Sequence, residues 1–571
     1  MLKNFIPSLS WLASYNKKQF LGDLPAGLTV GIMLIPQGMA YAMIAGLPPV
    51  YGLYASLVPQ VIYAFLGTSR QLAVGPVAMD SLLVASGLSL MAVSGSESYI
   101  LLAVVLAFLM GLMQLLMGVF RLGFLVNFLS KPVISGFTSA AALIIGLNQL
   151  KHLLGIEVAR SNHIYELVIN AFTHINEVHL LTFTIGIVGI LVIYGLKKFA
   201  PKIPGALLVV VLGILSVTIF NLAGENVQIV GFIPEGLPEF KVPELGSGNV
   251  WNLLSIAVTL ALIAFMEAIS VAKAIEQKHS DYKVDPNQEL IALGTSNLVA
   301  SFFQSYPTTG GFSRTAVNDQ AGARTGVSAL IAALVVGLTL LFLTPLFYNL
   351  PKAILASIIM VAVFGLIDFK YPLRLWKNRK DEFILLTFTF LITLTVGIKE
   401  GVMLGVLLSL LILIYRTTKP HMVVLGKFKG QNLYKNIARF GQLEERKDVL
   451  IVRFDAQLYF ANANFFKENL NELIKERGAG LKMLVLSAEA INYIDSSAAN
   501  MLRVNFKEIL DQQIEIKITN AIGPVRDIFK KSEITALIGR DNFHLTVNQA
   551  VRSFDGENIE QQHQIVLQNN L

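Results

Sequence analysis

The chain contains no cysteine, which excludes disulfides, thiolate catalysis and Cys-ligated metal sites. Charge is also scarce: 15% of the 571 residues are charged, against about a quarter in an ordinary soluble protein. The eight histidines form no HExxH or other metal-ligand spacing, and no GxxxxGK[ST] phosphate loop occurs. Nothing therefore suggests a metal, an organic cofactor or an ATP-driven pump. No nucleophile–base constellation appears either, so an enzyme is the least supported class. The net charge of +7 is explained by where the cations fall, and no nucleic-acid partner is expected.

What the chain has instead is long apolar sequence. It is 54% hydrophobic, with mean hydropathy +0.61. Residues 99–120 and 325–351 carry no charge, and 24–69 is uncharged over a length that only two spans can use. About 20 apolar residues cross a bilayer, so these are membrane helices. Fourteen spans are expected, at about 24–45, 50–67, 72–92, 98–120, 124–150, 177–196, 203–223, 251–275, 286–304, 309–318, 324–349, 352–368, 382–398 and 400–416. Residues 1–23 read as a retained amphipathic segment, with Trp11 and Tyr15 as interfacial anchors and Lys17 and Lys18 at the membrane edge.

Loop cations set the orientation. Fourteen Lys and Arg, including Arg70, Lys202, Lys278 and the cluster from Lys370 to Lys380, fall on one side. Five (Lys151, Arg160, Lys241, Lys352 and Lys399) fall on the other. The first side, with both termini, is expected in the cytoplasm of a cell inner (plasma) membrane protein. The outer loop Gly224–Gly248 is acidic, which agrees. Fourteen spans divide into repeats at 24–223 and 251–416, and an odd number of spans per half inverts the second relative to the first.

Two stretches break the apolar pattern, QLAVGPVAMDS at 71–81 and SYPTTGGFSRTAVN at 305–318. Each has a Gly/Pro-rich start before a short helix, and each is third in its half. Such interrupted segments at matching positions point to a transporter's central site. They read as half-helices whose N-termini face each other. Their free N–H groups and positive dipole ends would favour an anion there.

After Tyr415 the composition changes. Residues 417–436 read as a basic, polar linker. Residues 437–552 read as a small α/β module with strands at 448–454, 481–487 and 514–519, and amphipathic helices at 464–475 and 496–510. The tail 553–571 is Gln/Asn-rich.

Three stretches, PQGMAYAMIAGLPPVYGLYAS at 36–56, LGTSRQLAVGPVA at 66–78 and TTGGFSRTAVNDQAGARTGVS at 308–328, resemble the sulfate permease (SulP/SLC26) family. INYIDSSAANML at 491–502 resembles the STAS domain that follows the membrane part in that family. The resemblance implies a mainly α membrane protein of fourteen spans in two inverted repeats of seven, with a small cytoplasmic α/β STAS domain. It implies an elevator-like transporter, usually a homodimer, holding a small inorganic anion between spans three and ten. Coupling would be to protons or sodium, or transport would be by exchange.

Onto this chain the resemblance carries Gly311, Phe312, Ser313 and Arg314 at one helix start and Gly75, Pro76 and Val77 at the other. Val77 departs from the aromatic found in some relatives and leaves the pocket's shape open. Ser313 offers a hydroxyl and Arg314 either a counter-charge or a tie between the two half-helices; the glycines permit close backbone approach. Gln37 and Tyr41, four apart on one helix face, match pocket-lining positions of the first span. Glu267, deep in the eighth span, matches an acidic position linked to cation coupling. Ionisable groups at that depth are normally functional, the plainer alternative being an ion pair with Lys273 or Arg314. Asp80 is a second acid at membrane depth, with two readings open: it pairs with Arg314 or lines a wet crevice. In the tail, Ser496 and Ser497 follow Asp495 at a strand–helix junction. They are regulatory candidates by resemblance and helix-capping residues by chemistry; Ala498, where a glycine is usual, weakens the regulatory reading. The leading expectation is sulfate transport with proton symport. The alternatives are bicarbonate or dicarboxylate transport, exchange, an anion channel, or a membrane sensor whose output is the STAS module.

Overall fold

The computed structural model describes residues 6–557 apart from 90, 125–129, 157–163, 201–204, 245–249, 280, 366 and 442. Arg160, Lys202, the end of the Gly224–Gly248 loop and the tail beyond 557 lie outside the described residues. The chain divides into two compact units, Met1–Ser409 and Leu410–Leu571.

The first unit is helical. Its elements are α1 (Leu9–Leu12), α2 (Lys17–Ala45), α3 (Pro49–Tyr54), α4 (Val58–Leu66), β1 (Val74–Gly75), α5 (Ala78–Leu88), α6 (Glu97–Val119), α7 (Lys131–Leu154), α8 (Ile164–Thr173), α9 (Leu180–Phe199) and α10 (Gly205–Phe220). The second half runs α11 (Val250–Glu276), α12 (Pro286–Ser301), β2 (Thr309–Gly310), α13 (Phe312–Gln320), α14 (Val327–Leu338), α15 (Lys352–Phe364), α16 (Lys370–Asn378), α17 (Lys380–Thr395) and α18 (Ile398–Thr418). Among the described residues, eight helical stretches are long and apolar enough to cross a membrane, with α3 and α4 counted as one and α14 continued by helical turns to Phe347. The shorter α5, α10, α12, α13, α15 and α17 complete fourteen segments in the expected order.

Packing shows the repeat that spacing implied. Span 1 lies on span 11 as span 8 lies on span 4, and span 2 lies on 11 as 9 lies on 4. Likewise span 13 lies on 5 as 6 lies on 12. Exchange of the halves therefore maps one set of helix pairs onto the other. With the contacts of spans 3, 7, 10 and 14 added, most of the packing falls within two groups of spans, 1–4 with 8–11 and 5–7 with 12–14.

Backbone contacts inside the first group are close. A Cβ added to Gly52 would sit 1.9 Å from the carbonyl oxygen of Gly38, so span 2 rests directly on the backbone of span 1. The N-terminal segment departs from the expected amphipathic helix. Asn16 and Gln19 form a capping box that starts the first span at Lys17, ahead of the expected 24. Trp11 is not an interfacial anchor: it is 4% exposed, its ring lying 3.1 Å from a Cβ built on Gly326. Tyr15 donates to Asp23 at 3.2 Å.

The second unit is a sheet with helices on it. Its strands are β3 (Met422–Phe428), β4 (Tyr434–Asn436), β5 (Leu443–Glu444), β6 (Val449–Phe454), β7 (Met483–Ser487), β8 (Glu515–Thr519) and β9 (Phe543–His544), in order β4-β3-β6-β7-β8-β9 with β5 beside β3. From β6 to β9 the pairing is parallel, while β3 is antiparallel to β6. Alternation along β6 divides the core. Leu450, Val452 and Phe454 face α19 (Ala463–Arg477), α20 (Ser496–Leu510) and α21 (Gly523–Lys531), with α22 (Ile534–Ile538) beyond them. Val449 and Ile451 face α23 (Val547–Phe554). The linker expected at 417–436 is corrected: MVVLGKF within it is a sheet strand, its short apolar run hidden among Lys419, Lys427 and Lys429.

Candidate functional site

The two interrupted stretches meet. β1 and β2 form a two-stranded antiparallel pair, Val74 opposite Gly310 and Gly75 opposite Thr309. Around it, the Gly311 N–H donates to the Ala73 carbonyl and the Ala73 N–H to Thr315 Oγ1, each at 3.0 Å. Asn318 Nδ2 donates to the Gln71 carbonyl at 2.8 Å. Helices α5 and α13 therefore start side by side. Their cap residues, Val77 and Gly311, are extended and supply no side-chain cap. The first-turn N–H groups keep the positive end of each dipole free for a ligand.

Arg314 closes the gap between these starts. It is 2% exposed, and its Nη1 donates to the Pro76 carbonyl at 2.7 Å, tying α13 to the start of α5. Its Nε and Nη2 have no partner among the described residues. Of the two roles open in the sequence, the tie is made and donor capacity is left over. Gly311 makes the arrangement possible, because a Cβ there would lie 2.7 Å from Arg314 Nη2. Gly75 lies on the same guanidinium, with a Cβ reaching 3.5 Å from Nη2.

Ser313 and Phe312 are exposed on the first turn of α13, Phe312 at 57%. Val77, Gln37 and Tyr41 are buried. Gln37 makes no hydrogen bond among the described residues, so the amide at that position is uncommitted to the protein. Tyr41 lies within Coulombic range of both Arg314 and Glu267. Glu267 comes from mid-α11, and its Oε2 is buried without a partner among the described residues. The ion pair with Lys273 weighed above is not formed, since Lys273 binds Glu276 at 2.8 Å and donates to the Val284 carbonyl at 2.7 Å. Arg314 is in Coulombic range of Glu267 but makes no direct bond to it among the described residues. The structure thus brings Gly75, Pro76, Gly311, Arg314, Tyr41 and Glu267 to one locus between spans 1, 3, 8 and 10.

Asn297 is the residue that sequence reasoning missed. Its Oδ1 accepts from the Thr308 N–H at 2.8 Å and the Thr308 hydroxyl at 3.1 Å. Its Nδ2 donates to the carbonyls of Thr308 and Leu293 at 2.9 and 3.0 Å. It holds the approach to β2, which Thr309 also ties to α11 through the Ala264 carbonyl at 2.6 Å. The available signal was a lone amide in the apolar run of span 9, since a buried amide requires partners. Replacing Asn297 by Leu leaves the Thr308 backbone unsatisfied, at a cost of about 1–3 kcal/mol. The expected result is a lower unfolding temperature in detergent and reduced transport; an unchanged melting curve would refute the clamp.

In the second unit, Asp495 Oδ1 accepts from the Ala498 N–H at 2.8 Å and its Oδ2 from the Phe460 N–H at 2.9 Å. Asp495 is thus the cap of α20, and Ser496 and Ser497 are exposed on its first turn. Among the described residues no group of three His, Asp or Glu is placed to hold a metal ion.

The sulfate permease family profile matches residues 20–389, and the STAS domain profile matches 442–550. The chain is 38% identical over 585 residues to "Sulfate transporter 4.1, chloroplastic" of Arabidopsis thaliana, covering 98% of this chain and 85% of that protein. It is 35% identical to "High affinity sulfate transporter 1" of Stylosanthes hamata, covering 97% and 86%. In three dimensions it is similar to murine Solute Carrier 26 family member A9, an anion transporter solved in the inward-facing state. That match has TM-score 0.90 and 26% identity, over 97% of this chain and 95% of that one. Together with the fourteen segments and the paired half-helices, these matches establish that the chain belongs to the sulfate permease family, as a multi-pass membrane transporter with a C-terminal STAS domain.

Proposed function

We propose that this protein is a secondary active transporter of an inorganic anion, sulfate moved together with protons. The observation that carries the reading is the convergence of two uncapped helix starts on a buried Arg314 that still has two unused donors. Sulfate can be held by such N–H groups and one hydroxyl without a full counter-ion. In this reading Gly75, Pro76, Val77, Gly311, Phe312, Ser313, Arg314, Gln37 and Tyr41 bind the anion, and Glu267 loads the coupling proton. The curated relatives named above as sulfate transporters support the substrate. The sorting of spans into two groups supports an elevator-like movement of the site, in a homodimer, and loop cations support cytoplasmic termini in an inner or plasma membrane. Asp495 gives the Ser496–Ser497 turn a structural role, and modification of those serines is the regulatory alternative.

The deciding experiment is an uptake panel in proteoliposomes with sulfate, bicarbonate, chloride and fumarate, each with and without a proton or sodium gradient. Sulfate is expected to accumulate when the outside is acidic, with sodium having no effect. Sulfate flux indifferent to both gradients would identify a channel or exchanger. Sodium-driven bicarbonate or fumarate accumulation would replace the substrate.

A further inference from the structure

Three acidic side chains of the membrane unit have no exposed surface among the described residues: Asp23, Glu289 and Asp80, each 0% exposed. Two of them are saturated. Asp23 accepts from the N–H groups of Arg324 and Thr325 at 2.6 and 2.9 Å, from the Thr325 hydroxyl at 2.6 Å and from Tyr15. Glu289 accepts from Tyr63 and the Thr68 hydroxyl at 2.6 Å, and from the N–H groups of Thr68 and Ser69 at 2.7 and 3.2 Å. Each braces a loop beside one half-helix, and stability alone accounts for them. Asp80 is different. Neither of its carboxyl oxygens has a hydrogen-bond partner among the described residues.

Among the described residues, the surroundings of Asp80 offer it no cation. It lies in the first turn of α5, which packs against α2, α6, α7, α11 and α15. α6 carries Glu97 and Tyr99 at its start, α7 carries Lys131 at one end and Lys151 and His152 at the other, and α15 begins with Lys352. α2 has Lys17, Lys18 and Asp23 in its opening turns and Tyr41 further along; α11 ends in the paired Lys273 and Glu276. The ionisable groups facing Asp80 are Glu267 from mid-α11 and Tyr306 from the segment before β2, both in Coulombic range. Tyr306 is itself hydrogen-bonded to Ser81 at 3.1 Å. Arg314, from α13, is in range of Glu267 and bonded to the Pro76 carbonyl.

An ionised carboxylate buried without donors is far more expensive than a carboxylic acid in the same place. A carboxyl so placed, one turn from an anion site and facing a second carboxyl, is built to hold a proton. We propose that Asp80 is a second proton-binding group of the transport cycle, acting with Glu267 so that a divalent anion moves with two protons. With both acids ionised, the charges of Arg314, Glu267 and Asp80 sum to one negative, which repels the substrate. One bound proton makes the locus neutral and two make it positive, so anion loading follows double protonation. Loss of either proton on the other side favours release. The inference rests on the proton-symport reading above.

The test is the limiting accumulation of radiolabelled sulfate in proteoliposomes with the membrane potential clamped at zero by potassium and valinomycin. Across one pH unit, two coupled protons sustain about a hundredfold sulfate ratio and one proton about tenfold. The wild type is expected near the first value, Asp80→Asn near the second and Asp80→Glu near the first. A wild type near tenfold, or Asp80→Asn unchanged near a hundredfold, overturns the assignment and leaves symport standing. No pH-driven accumulation in the wild type removes the symport reading and this one with it. Should Asp80→Asn fail to assemble, infrared difference spectra of the wild type between acid and neutral pH decide. Two carboxylic C=O bands, one shifted in Asp80→Glu, are expected; a single band, unmoved in Asp80→Glu, overturns the proposal.

Discussion

Ser313→Trp abolishes sulfate uptake, by at least about a hundredfold, while the protein folds normally. Ser313 is exposed on the first turn of α13, two residues past the Gly311 cap and next to Arg314. An indole there covers the free N–H groups of the helix start and fills the room in which an anion would sit. Because the position is exposed, the change in stability should stay within about 0.5 kcal/mol, seen as an unshifted gel-filtration profile and melting curve. Ser313→Ala is milder. Loss of one hydroxyl bond to a charged ligand is worth about 1.5–3 kcal/mol, so the sulfate KM should rise roughly ten- to a hundredfold. Normal uptake by Ser313→Trp would remove the assigned pocket.

Glu267→Gln is the second large effect. A glutamine preserves the size and one acceptor of the carboxyl but cannot take up a proton. Sulfate accumulation across one pH unit should fall at least about tenfold, the loss of one coupled proton. Exchange of labelled for unlabelled sulfate at equal pH should remain measurable. Full pH-driven accumulation in this variant would show that Glu267 is a structural acid, like Asp23 or Glu289. The comparison is informative because those two acids are surrounded by donors, whereas Glu267 Oε2 has none.

Much of this architecture was legible because a bilayer enforces it. Segments must be apolar and long enough to cross, so the spans could be drawn from charge gaps, and the interrupted third and tenth segments stood out against them. Boundaries were less readable where polar residues serve the fold. Lys17 and Lys18 argued for a membrane edge near residue 24, yet the Asn16–Gln19 capping box begins the helix earlier, and Asp23 is buried under four donors. The strand at 422–428 was lost because flanking lysines dominated its composition. Partners outside a residue's own helix were invisible altogether. Asn297 could be recognised as an amide in need of bonds, but nothing in the sequence said that Thr308 would meet them. The same holds for Arg314 and the Pro76 carbonyl.

The ladder between β1 and β2 bears on biogenesis. Val74 and Gly75 pair with Gly310 and Thr309, so nascent chain emerging from the ribosome must insert its first seven spans with that edge still open. Closing so distant a contact is slow by its topology. A fragment ending before the eighth span would leave that backbone edge without its partner strand, at a cost of several kcal/mol for each N–H or C=O shut away from water.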